Sequence, residues 1–344
     1  MSNLPKHILV IRLSAMGDVA MTVPILRQFT KQYPQVKLTV LTREFFTPFF
    51  RDLENVSVHA ADVKGKHKGI LGLYRLSKEL KNLEFDAIAD LHNVLRSNVL
   101  KLFLINKKCI QIDKGRAKKK ALTSGKFFKQ LKTTHQRYAD VFSALGFRLD
   151  LSSPIFPNKV TLSKKLKNII EGKNKPLIGI APFAAFKSKA YSLEQMQEVI
   201  KTLSQSNTIL LFGGGQNEIK MLDNIVTSQT NIINLAGKLT LDEELDIISN
   251  LDLMISMDSG NAHIAAMLGI EVITLWGVTH PYAGFYPFNQ NPENALIADR
   301  EQFPLIPTSI YGNKFPEGYH EAINSITPQQ VILKANMILQ KSLT

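Results

Sequence analysis

Cysteine is almost absent from this sequence: Cys109 is the only one in 344 residues. A lone cysteine excludes internal disulfides and metal sites built from cysteine clusters. It is also typical of a protein kept in a reducing cytoplasm. Cys109 lies in the segment KKCIQI, which predicts a strand, so we expect it to pack as a small core residue.

Long apolar runs and an excess of acidic residues are also lacking. No apolar run approaches the ~18 residues of a membrane span, and the run after His7 stops at Arg12, too soon for a signal peptide. Lysine and arginine outnumber the acids, 42 to 29, which gives a net charge of +13. This charge predicts an anionic partner: a nucleic acid, an acidic membrane surface or a phosphorylated substrate.

Several short motifs of nucleotide and metal chemistry are missing. The sequence has no Walker A motif, no H-E-x-x-H, no C-x-x-C and no D-x-D. Three glycines follow a predicted strand in LLFGGGQNE, but they do not match G-x-G-x-x-G, which argues against a nicotinamide oxidoreductase. No metal or cofactor is therefore expected, and any bound phosphate would have to be neutralised by helix N-termini, hydroxyls and lysines.

What the sequence does contain is a regular alternation of strand and helix patterns. Strands are predicted in HILVIR, VKLTVLT, FDAIADL and KCIQI, and then in PLIGIAP, NTILLFG, NIINLAG, DLMISM and EVITLWG. Such alternation is typical of an α/β fold with parallel sheets. The two halves resemble two doubly wound, Rossmann-like domains, in which ligands bind beyond the carboxyl ends of the strands.

The domain boundary is predicted in the proline- and lysine-rich stretch 151–176. We expect a first domain over 1–165 and a second over 166–325. The last segment, 326–344, predicts a helix opened by Thr327 and Pro328, which we expect to cross back to the first domain.

The first candidate site residue is Asp18, in the turn SAMGD between a buried strand and a helix. One interpretation is a helix cap, because aspartate at a helix start accepts backbone N–H groups and suits the dipole. The other is a general base that faces a cleft. The residues of this turn alone leave both interpretations open.

A second candidate is the strand–turn–helix segment that contains DSGNAH. The start of its helix offers free N–H groups and the positive end of the dipole, which together make an anion site. The alternative is simple capping by the aspartate. The candidate residues for a diphosphate are Asp258, Ser259, Gly260 and His263.

Two loops after predicted strands add further candidates. Lys187 and Lys189 follow the first strand of the second half and could neutralise phosphate, or could be solvated surface lysines. Glu218, after the glycines of FGGGQNE, could bond a ribose or cap the next helix.

The last candidate is a basic tract, Lys114 to Arg137, with nine lysines and arginines and no acid. With KGKHK at 64–68 it predicts a positive face on the first domain, although charge runs are often merely solvated. Only Phe127 and Phe128 could stack on bases, which argues against nucleic acid. The candidate residues for an anionic acceptor are Lys64, Lys66, Arg116, Lys118, Lys119 and Lys120.

Four stretches in this order resemble the bacterial heptosyltransferases, glycosyltransferase family 9. The resemblance runs from Ile8 to about Pro281 and is most specific in D-S-G-x-x-H followed by G-x-T-x-P. Two features depart from the family pattern: KAYS replaces K-x-W-P, and a cysteine-rich loop of some members is missing from Ala298 to Tyr319. The stretches are RLSAMGDVAMTVPIL, APFAAFKSKAYS, FGGGQNE and MDSGNAHIAAMLGIEVITLWGVTHP.

The resemblance implies a GT-B fold, two Rossmann-like domains that face a central cleft. It also implies metal-independent, inverting transfer of a heptose from ADP-heptose to the lipid A-linked inner core of lipopolysaccharide. Asp18 then corresponds to the general base and Lys189 to a donor-site lysine. Asp258, Ser259, Gly260 and His263 correspond to the diphosphate and nucleotide site, and Glu218 to an acidic residue near the ribose or base.

This interpretation predicts a cytoplasmic enzyme at the inner face of the inner membrane. Its partners would be a nucleotide sugar, an anionic lipid-linked oligosaccharide and the inner-leaflet surface. The alternatives are a glycosyltransferase of the same fold with another donor or acceptor, and a non-catalytic protein that binds nucleotide sugars or nucleic acid.

Overall fold

The computed structural model describes residues 4–173, 175–226 and 231–341. They form two compact units. The first contains the residues up to Lys114 together with Lys132–Phe156, and the second contains Gly115–Leu131 and the chain from Pro157 onward. The division therefore falls at Phe156/Pro157 rather than at 165/166, and the segment Gly115–Leu131 belongs to the second unit.

The first unit is built on a parallel sheet with the order β3-β2-β1-β4-β5. β1 is buried along most of its length, as expected for a central strand covered by helices on both faces. The strands are β1 His7–Ile11, β2 Lys37–Thr42, β3 Val56–Ala60, β4 Ala87–Asp90 and β5 Lys108–Gln111.

The second unit contains a parallel sheet with the order β11-β10-β9-β6-β7-β8. Its central strands β6 and β9 are fully buried, because both sheet faces are covered. The strands are β6 Leu177–Ala181, β7 Thr208–Leu211, β8 Ile232–Asn234, β9 Leu253–Met257, β10 Val272–Trp276 and β11 Ala295–Ile297.

Helices connect consecutive parallel strands in both units. Some begin at strong sequence signals: Thr133 and Thr240 each accept a backbone N–H in a capping box with the third helical residue. The helices are α1 Met16–Ala20, α2 Thr22–Gln32, α3 Gly69–Lys81, α4 Leu95–Leu102, α5 Arg116–Thr123, α6 Thr134–Leu145, α7 Lys164–Ile170, α8 Leu193–Leu203, α9 Gln216–Ile225, α10 Leu241–Ile248, α11 Gly260–Met267 and α12 Pro328–Lys341.

The C-terminal helix α12 lies in the second unit. Its buried side chains, Val331, Ile332, Ala335 and Leu339, belong to the core that also contains β6, β9 and β10. The sequence predicts instead that this helix packs on the first domain. Its apolar face packs against α8 and against β9 and β10 of the second unit.

The strand order creates one switch point in each sheet. In the first unit β1 lies beside β4, with Ile11 opposite Asp90. In the second unit β6 lies beside β9, with Ala181 opposite Ser256. At such points the chain leaves adjacent strands in opposite directions, which opens a crevice at their carboxyl ends. The predicted α/β class with two doubly wound parallel sheets is confirmed.

Candidate functional site

Asp18 lies beyond the carboxyl end of β1, in the first turn of α1. Its carboxylate accepts the backbone N–H of Ala15 at 3.2 Å, which is the predicted capping contact. It also forms an ion pair with the buried guanidinium of Arg12 at 2.5 Å. The Asp18 side chain keeps 29% of its surface exposed. The residue therefore both caps the helix and presents a carboxylate to solvent.

The surroundings of Asp18 contain groups that the motif alone does not reveal. Arg12 is anchored by a hydrogen bond from Nη1 to the carbonyl of Leu91, after β4, at 2.7 Å. The hydroxyl of Tyr138 donates to the backbone carbonyl of Asp18 at 3.3 Å. His92 is buried nearby; its burial, and then the charge of Arg12, lowers its pKa to about 4, so it is neutral at pH 7.

β4 ends in a rigid polar turn. Asp90 is fully buried and accepts the backbone N–H groups of His92 and Asn93 at 2.9 and 2.8 Å. Its second oxygen pairs with the ammonium of Lys101 at 2.6 Å. These contacts fix the turn that carries His92 beside the end of β1. The sequence signal for this turn is an aspartate and a histidine at the end of the predicted strand, in FDAIADLHN.

In the second unit the corresponding switch point brings together three elements. Lys189, in the loop after β6, forms an ion pair with Asp258, after β9, at 2.8 Å. Thr279, after β10, donates a hydrogen bond to the same carboxylate oxygen at 2.9 Å. The side chains of Lys189 and Asp258 are only 13% and 9% exposed. The structure therefore joins residues from three separate sequence motifs at one place.

Asp258 does not cap the helix that follows it. The N-cap residue of α11 is Ser259, whose hydroxyl lies 3.0 Å from that of Ser256 and makes no hydrogen bond to the helix backbone. Gly260 begins the helix and His263, 7% exposed, lies in its first turn. The start of α11 therefore keeps N–H groups that a side-chain cap would have occupied, the arrangement that favours an anion.

Two glycines allow Lys189 to reach this place. A Cβ on Gly277 would collide with the backbone carbonyl of Ser188, so glycine at the end of β10 permits close approach of the lysine loop. Gly312, at φ +90°, lies against the Lys189 stem, and its carbonyl accepts a hydrogen bond from the Ser188 hydroxyl at 2.5 Å. The G-x-T-x-P pattern is thereby explained: its glycine admits the loop and its threonine binds Asp258.

Glu218 lies in the first turn of α9, after the glycines that follow β7. Its carboxylate accepts the backbone N–H of Gly214 at 2.7 Å. The sequence leaves two interpretations of Glu218 open, a ribose contact and a helix cap. The bond to Gly214 corresponds to the helix cap, since it ties the glycine turn to the start of α9.

A family model described as glycosyltransferase family 9 (heptosyltransferase) matches residues 73–304, more than half of the chain. The chain belongs to glycosyltransferase family 9. The matched stretch includes Lys189, Glu218, Asp258 and His263, whereas Asp18 precedes it.

Relatives and solved structures agree with this membership. The chain is 27% identical over 292 residues to the lipopolysaccharide core heptosyltransferase OpsX of Haemophilus influenzae, with 80% of each chain covered. It shares its fold with a family 9 glycosyltransferase from Veillonella parvula, at 20% identity, a TM-score of 0.77 and 98% of each chain covered. It shares it also with the E. coli ADP-heptose lps heptosyltransferase II, at 21% identity and a TM-score of 0.71, with 98% and 100% covered.

The basic residues of this glycosyltransferase do not form the predicted face of the first domain. Lys64 and Lys66 lie in the first unit, and Lys66 pairs with Glu79 at 2.6 Å. Lys119 is buried, with its ammonium 3.9 Å from the ring centre of Phe285. Its helix α5 belongs to the second unit, because the apolar residues of that segment pack on the loop after β10. The basic residues of α5 that remain exposed are Arg116, Lys118 and Lys120.

A cavity of about 570 Å³ lies beside this segment, within the second unit. It is lined by residues 122–125, by Phe127 and Phe128 and by the loop after β11, with Arg300 and Lys314 as its charged residues and no carboxylate. The Arg300 guanidinium stacks 3.7 Å above the ring of Phe128. Arg300 could not be predicted as a site residue from the sequence, because only the fold brings it to the aromatic pair.

The departure KAYS has a structural role. Tyr191 is 3% exposed, and its hydroxyl donates to the carbonyl of Ile326 at 2.6 Å. The side chain therefore anchors the lysine loop to the segment before α12.

Within 4–173, 175–226 and 231–341, no group of three or more His, Cys, Asp or Glu side chains is arranged to hold a metal ion. No helix in this part of the chain has the length and apolarity needed to cross a membrane.

Proposed function

We propose that this glycosyltransferase transfers a heptose from ADP-heptose to a lipid A-linked inner-core acceptor of lipopolysaccharide, with inversion and without a metal. Its relative OpsX is a lipopolysaccharide core heptosyltransferase, and the E. coli enzyme that shares its fold is an ADP-heptose lps heptosyltransferase, which supports this sugar, donor and acceptor. The observation that carries the proposal is the junction of Lys189, Asp258 and Thr279 beside the start of α11. A cation and a helix N-terminus at a switch point suit a nucleoside diphosphate.

The donor half of the reaction needs positive charge where ADP leaves. In the proposed mechanism the Lys189 ammonium and the N–H groups at Gly260 face the diphosphate, and His263 and Ser259 add polar contacts. Asp258 and Thr279 hold the lysine in place before the substrate binds. Such preorganised charge stabilises a leaving group without a metal ion, because no reorganisation is needed as charge develops.

The acceptor half needs a base. The oxygen of an acceptor hydroxyl forms a bond to the anomeric carbon, the bond from that carbon to the ADP oxygen breaks on the opposite face, and the hydroxyl proton passes to Asp18. Arg12 orients the Asp18 carboxylate through their ion pair. The exposed cations Lys64, Arg116, Lys118 and Lys120 are proposed to contact anionic groups of the acceptor. Lys66 and Lys119 are less suited, because each already has a partner.

The donor proposal is tested by titration calorimetry with ADP, UDP, GDP, dTDP and NAD in the presence of EDTA. We expect selective ADP binding that weakens about 10- to 100-fold in Lys189→Ala, the loss of one charge-assisted contact. Lys187→Ala is the matched control, since Lys187 is exposed in the same loop. Preference for another nucleotide would mean that a different nucleotide sugar is the donor and that it binds at the same site. Binding of none of the five would refute the assignment.

The base is tested by Asp18→Asn, which keeps the shape of the side chain and its cap acceptor. We expect loss of turnover with ADP-heptose and a lipid A-based acceptor, with ADP affinity unchanged. Normal turnover would refute the role of Asp18. Loss of ADP binding as well would indicate a folding defect, which circular dichroism would reveal. If the wild-type protein binds ADP but transfers no sugar to the acceptor, the non-catalytic alternative is favoured.

We also propose a cytoplasmic location, in keeping with the single cysteine.

A further inference from the structure

Helices α3 and α4 of the first unit and the turn after α4 leave six large apolar side chains in solvent. Leu71 and Leu95 are 76% and 81% exposed, and the others are 44–78% exposed. A scattered exposed leucine is ordinary, but a contiguous apolar group on a soluble protein marks an interaction surface. The six apolar residues are Ile70, Leu71, Tyr74, Leu95, Leu102 and Ile105.

These residues belong to one surface because the two helices are neighbours. The ring of Tyr74 on α3 lies 5.4 Å from that of Phe103, the residue after α4. The opposite sides of both helices enter the same core, through Leu73 and Leu76 on α3 and Leu100 on α4. Folding therefore buries one side of each helix and leaves the other apolar side without a partner in the described structure.

Exposed cations lie in the same segments as the apolar residues. Residues 63–78 and 91–112 contain no acid at all. Lys66 and Lys101 in these segments are paired with carboxylates, but six other cations are exposed and form no ion pair within the described part of the chain. The six are Lys64, Lys68, Arg75, Lys78, Arg96 and Lys108. We define these six cations and the six apolar residues as the α3–α4 surface.

We propose that the α3–α4 surface docks this enzyme on an anionic lipid bilayer. Exposed apolar side chains and cations in the same segments match the two layers of such a membrane: acyl chains beneath anionic headgroups. Tyr74 adds an aromatic ring of the kind that favours the headgroup level, and the ammonium of Lys78 lies 4.7 Å from its centre. A protein partner would need acids to meet the same charges.

Helix α5 carries exposed cations but has no exposed large apolar side chain. Its one buried lysine lies against Phe285, and Leu122 is 1% exposed in the second unit's own cluster. Charge alone predicts an anionic partner for that tract. The α3–α4 surface has both charge and exposed apolar groups, and Lys64 is its only residue that is also proposed to contact the acceptor.

The test is sedimentation of the full chain with vesicles. One set contains phosphatidylglycerol and phosphatidylethanolamine, and the other contains phosphatidylcholine alone. We expect binding to the anionic set, and weaker binding as salt rises. Ile70→Ser with Leu71→Ser should weaken it about tenfold or more. Lys68→Gln and Arg75→Gln should each weaken it about fivefold.

The matched control is Leu333→Ser with Met337→Ser on α12, two apolar residues that are 53% and 51% exposed on the second unit. This control should bind vesicles like the wild type. Absence of wild-type binding to anionic vesicles, or an equal loss in the control, would overturn the proposal. A wild-type dimer in analytical ultracentrifugation that Ile70→Ser with Leu71→Ser dissolves would also overturn it, since the surface would then be an interface between copies.

This inference can fail or hold independently of the proposed function. Vesicle binding needs neither donor nor acceptor, and ADP binding to the second unit needs no membrane. The Ile70→Ser with Leu71→Ser variant should therefore bind ADP like the wild type.

Discussion

Replacing Lys189 by methionine should destabilise the second unit of the unliganded protein. Methionine keeps most of the apolar stem and removes the ammonium, which lies 2.8 Å from the Asp258 carboxylate. That carboxylate, 9% exposed, then keeps only the hydrogen bond from Thr279. Removal of one partner from a buried pair costs about 3–5 kcal/mol, because the other charge stays buried without compensation. Since both side chains keep some contact with water, we expect the lower end, about 3 kcal/mol.

The pair can be isolated by a double-mutant cycle. Asp258→Asn keeps an acceptor for Thr279 and leaves Lys189 without its counter-charge, so it should cost about 2 kcal/mol. In Lys189→Met with Asp258→Asn neither charge remains. The double variant should therefore lose less than the sum of the single variants, with a coupling of about 1–3 kcal/mol.

The assay is urea unfolding followed by tryptophan fluorescence. Trp276 is the only tryptophan in the chain, is 1% exposed, and lies on β10 of the second unit, so it reports on the unit that contains the pair. Lys187→Met, on an exposed lysine of the same loop, should stay within about 0.5 kcal/mol of the wild type. A loss below about 1 kcal/mol for Lys189→Met, or strict additivity in the double variant, would refute the reasoning.

Three other predictions use single positions. Gly312→Ala should lower the free energy of unfolding by about 1 kcal/mol more than Gly318→Ala. Both glycines have a positive φ, but only at Gly312 would the added Cβ lie 2.6 Å from the Lys189 stem. Equal losses in urea unfolding would contradict this. Burial lowers the pKa of His280 to about 4. The unfolded chain therefore binds a proton first, and the free energy of unfolding should fall by up to about 3 kcal/mol from pH 6.5 to pH 4; an unchanged pH slope in His280→Gln would exclude this group as a source. Burial raises the pKa of the Cys109 thiol to about 11. Iodoacetamide at pH 8 should therefore label this thiol about 100-fold more slowly in the folded protein than in the urea-unfolded chain. Equal labelling rates would contradict the burial of Cys109.

The strands of the two sheets were predictable to different degrees. The nine predicted strands are present, and all but the edge strand β5 bury most of their side chains in a sheet that is covered on both faces. β3 and β11 were missed. β3 is an edge strand in which no side chain is fully buried, and β11 is an edge strand of three residues. An edge strand is held by one neighbour, so its sequence needs neither a continuous apolar run nor a strict alternation.

The candidate site was predictable where a motif follows a strand, and not where a partner comes from another element. Asp18, Lys189 and Asp258 each lie just beyond a strand that the apolar pattern identifies. Thr279 completes the second constellation, but only the order of strands, which places β10 beside β9, decides that it meets Asp258. Arg12 lies close to Asp18 in the chain, but its anchor on the carbonyl of Leu91 depends on β4 lying beside β1. Strand order is a property of tertiary packing, which a single sequence does not state.

Charge along the chain is the weakest guide to a binding surface. The densest basic run places Lys119 in a buried contact with an aromatic ring, whereas the sparser charges of α3 lie in the same segment as exposed apolar groups. The difference is made by helix packing: Leu71 is 76% exposed and Leu73, two residues later, is 5% exposed. Both residues fit an amphipathic helix equally well by type. Only the position of the neighbouring helix and sheet decides which leucine fills the core and which one stays available to a partner.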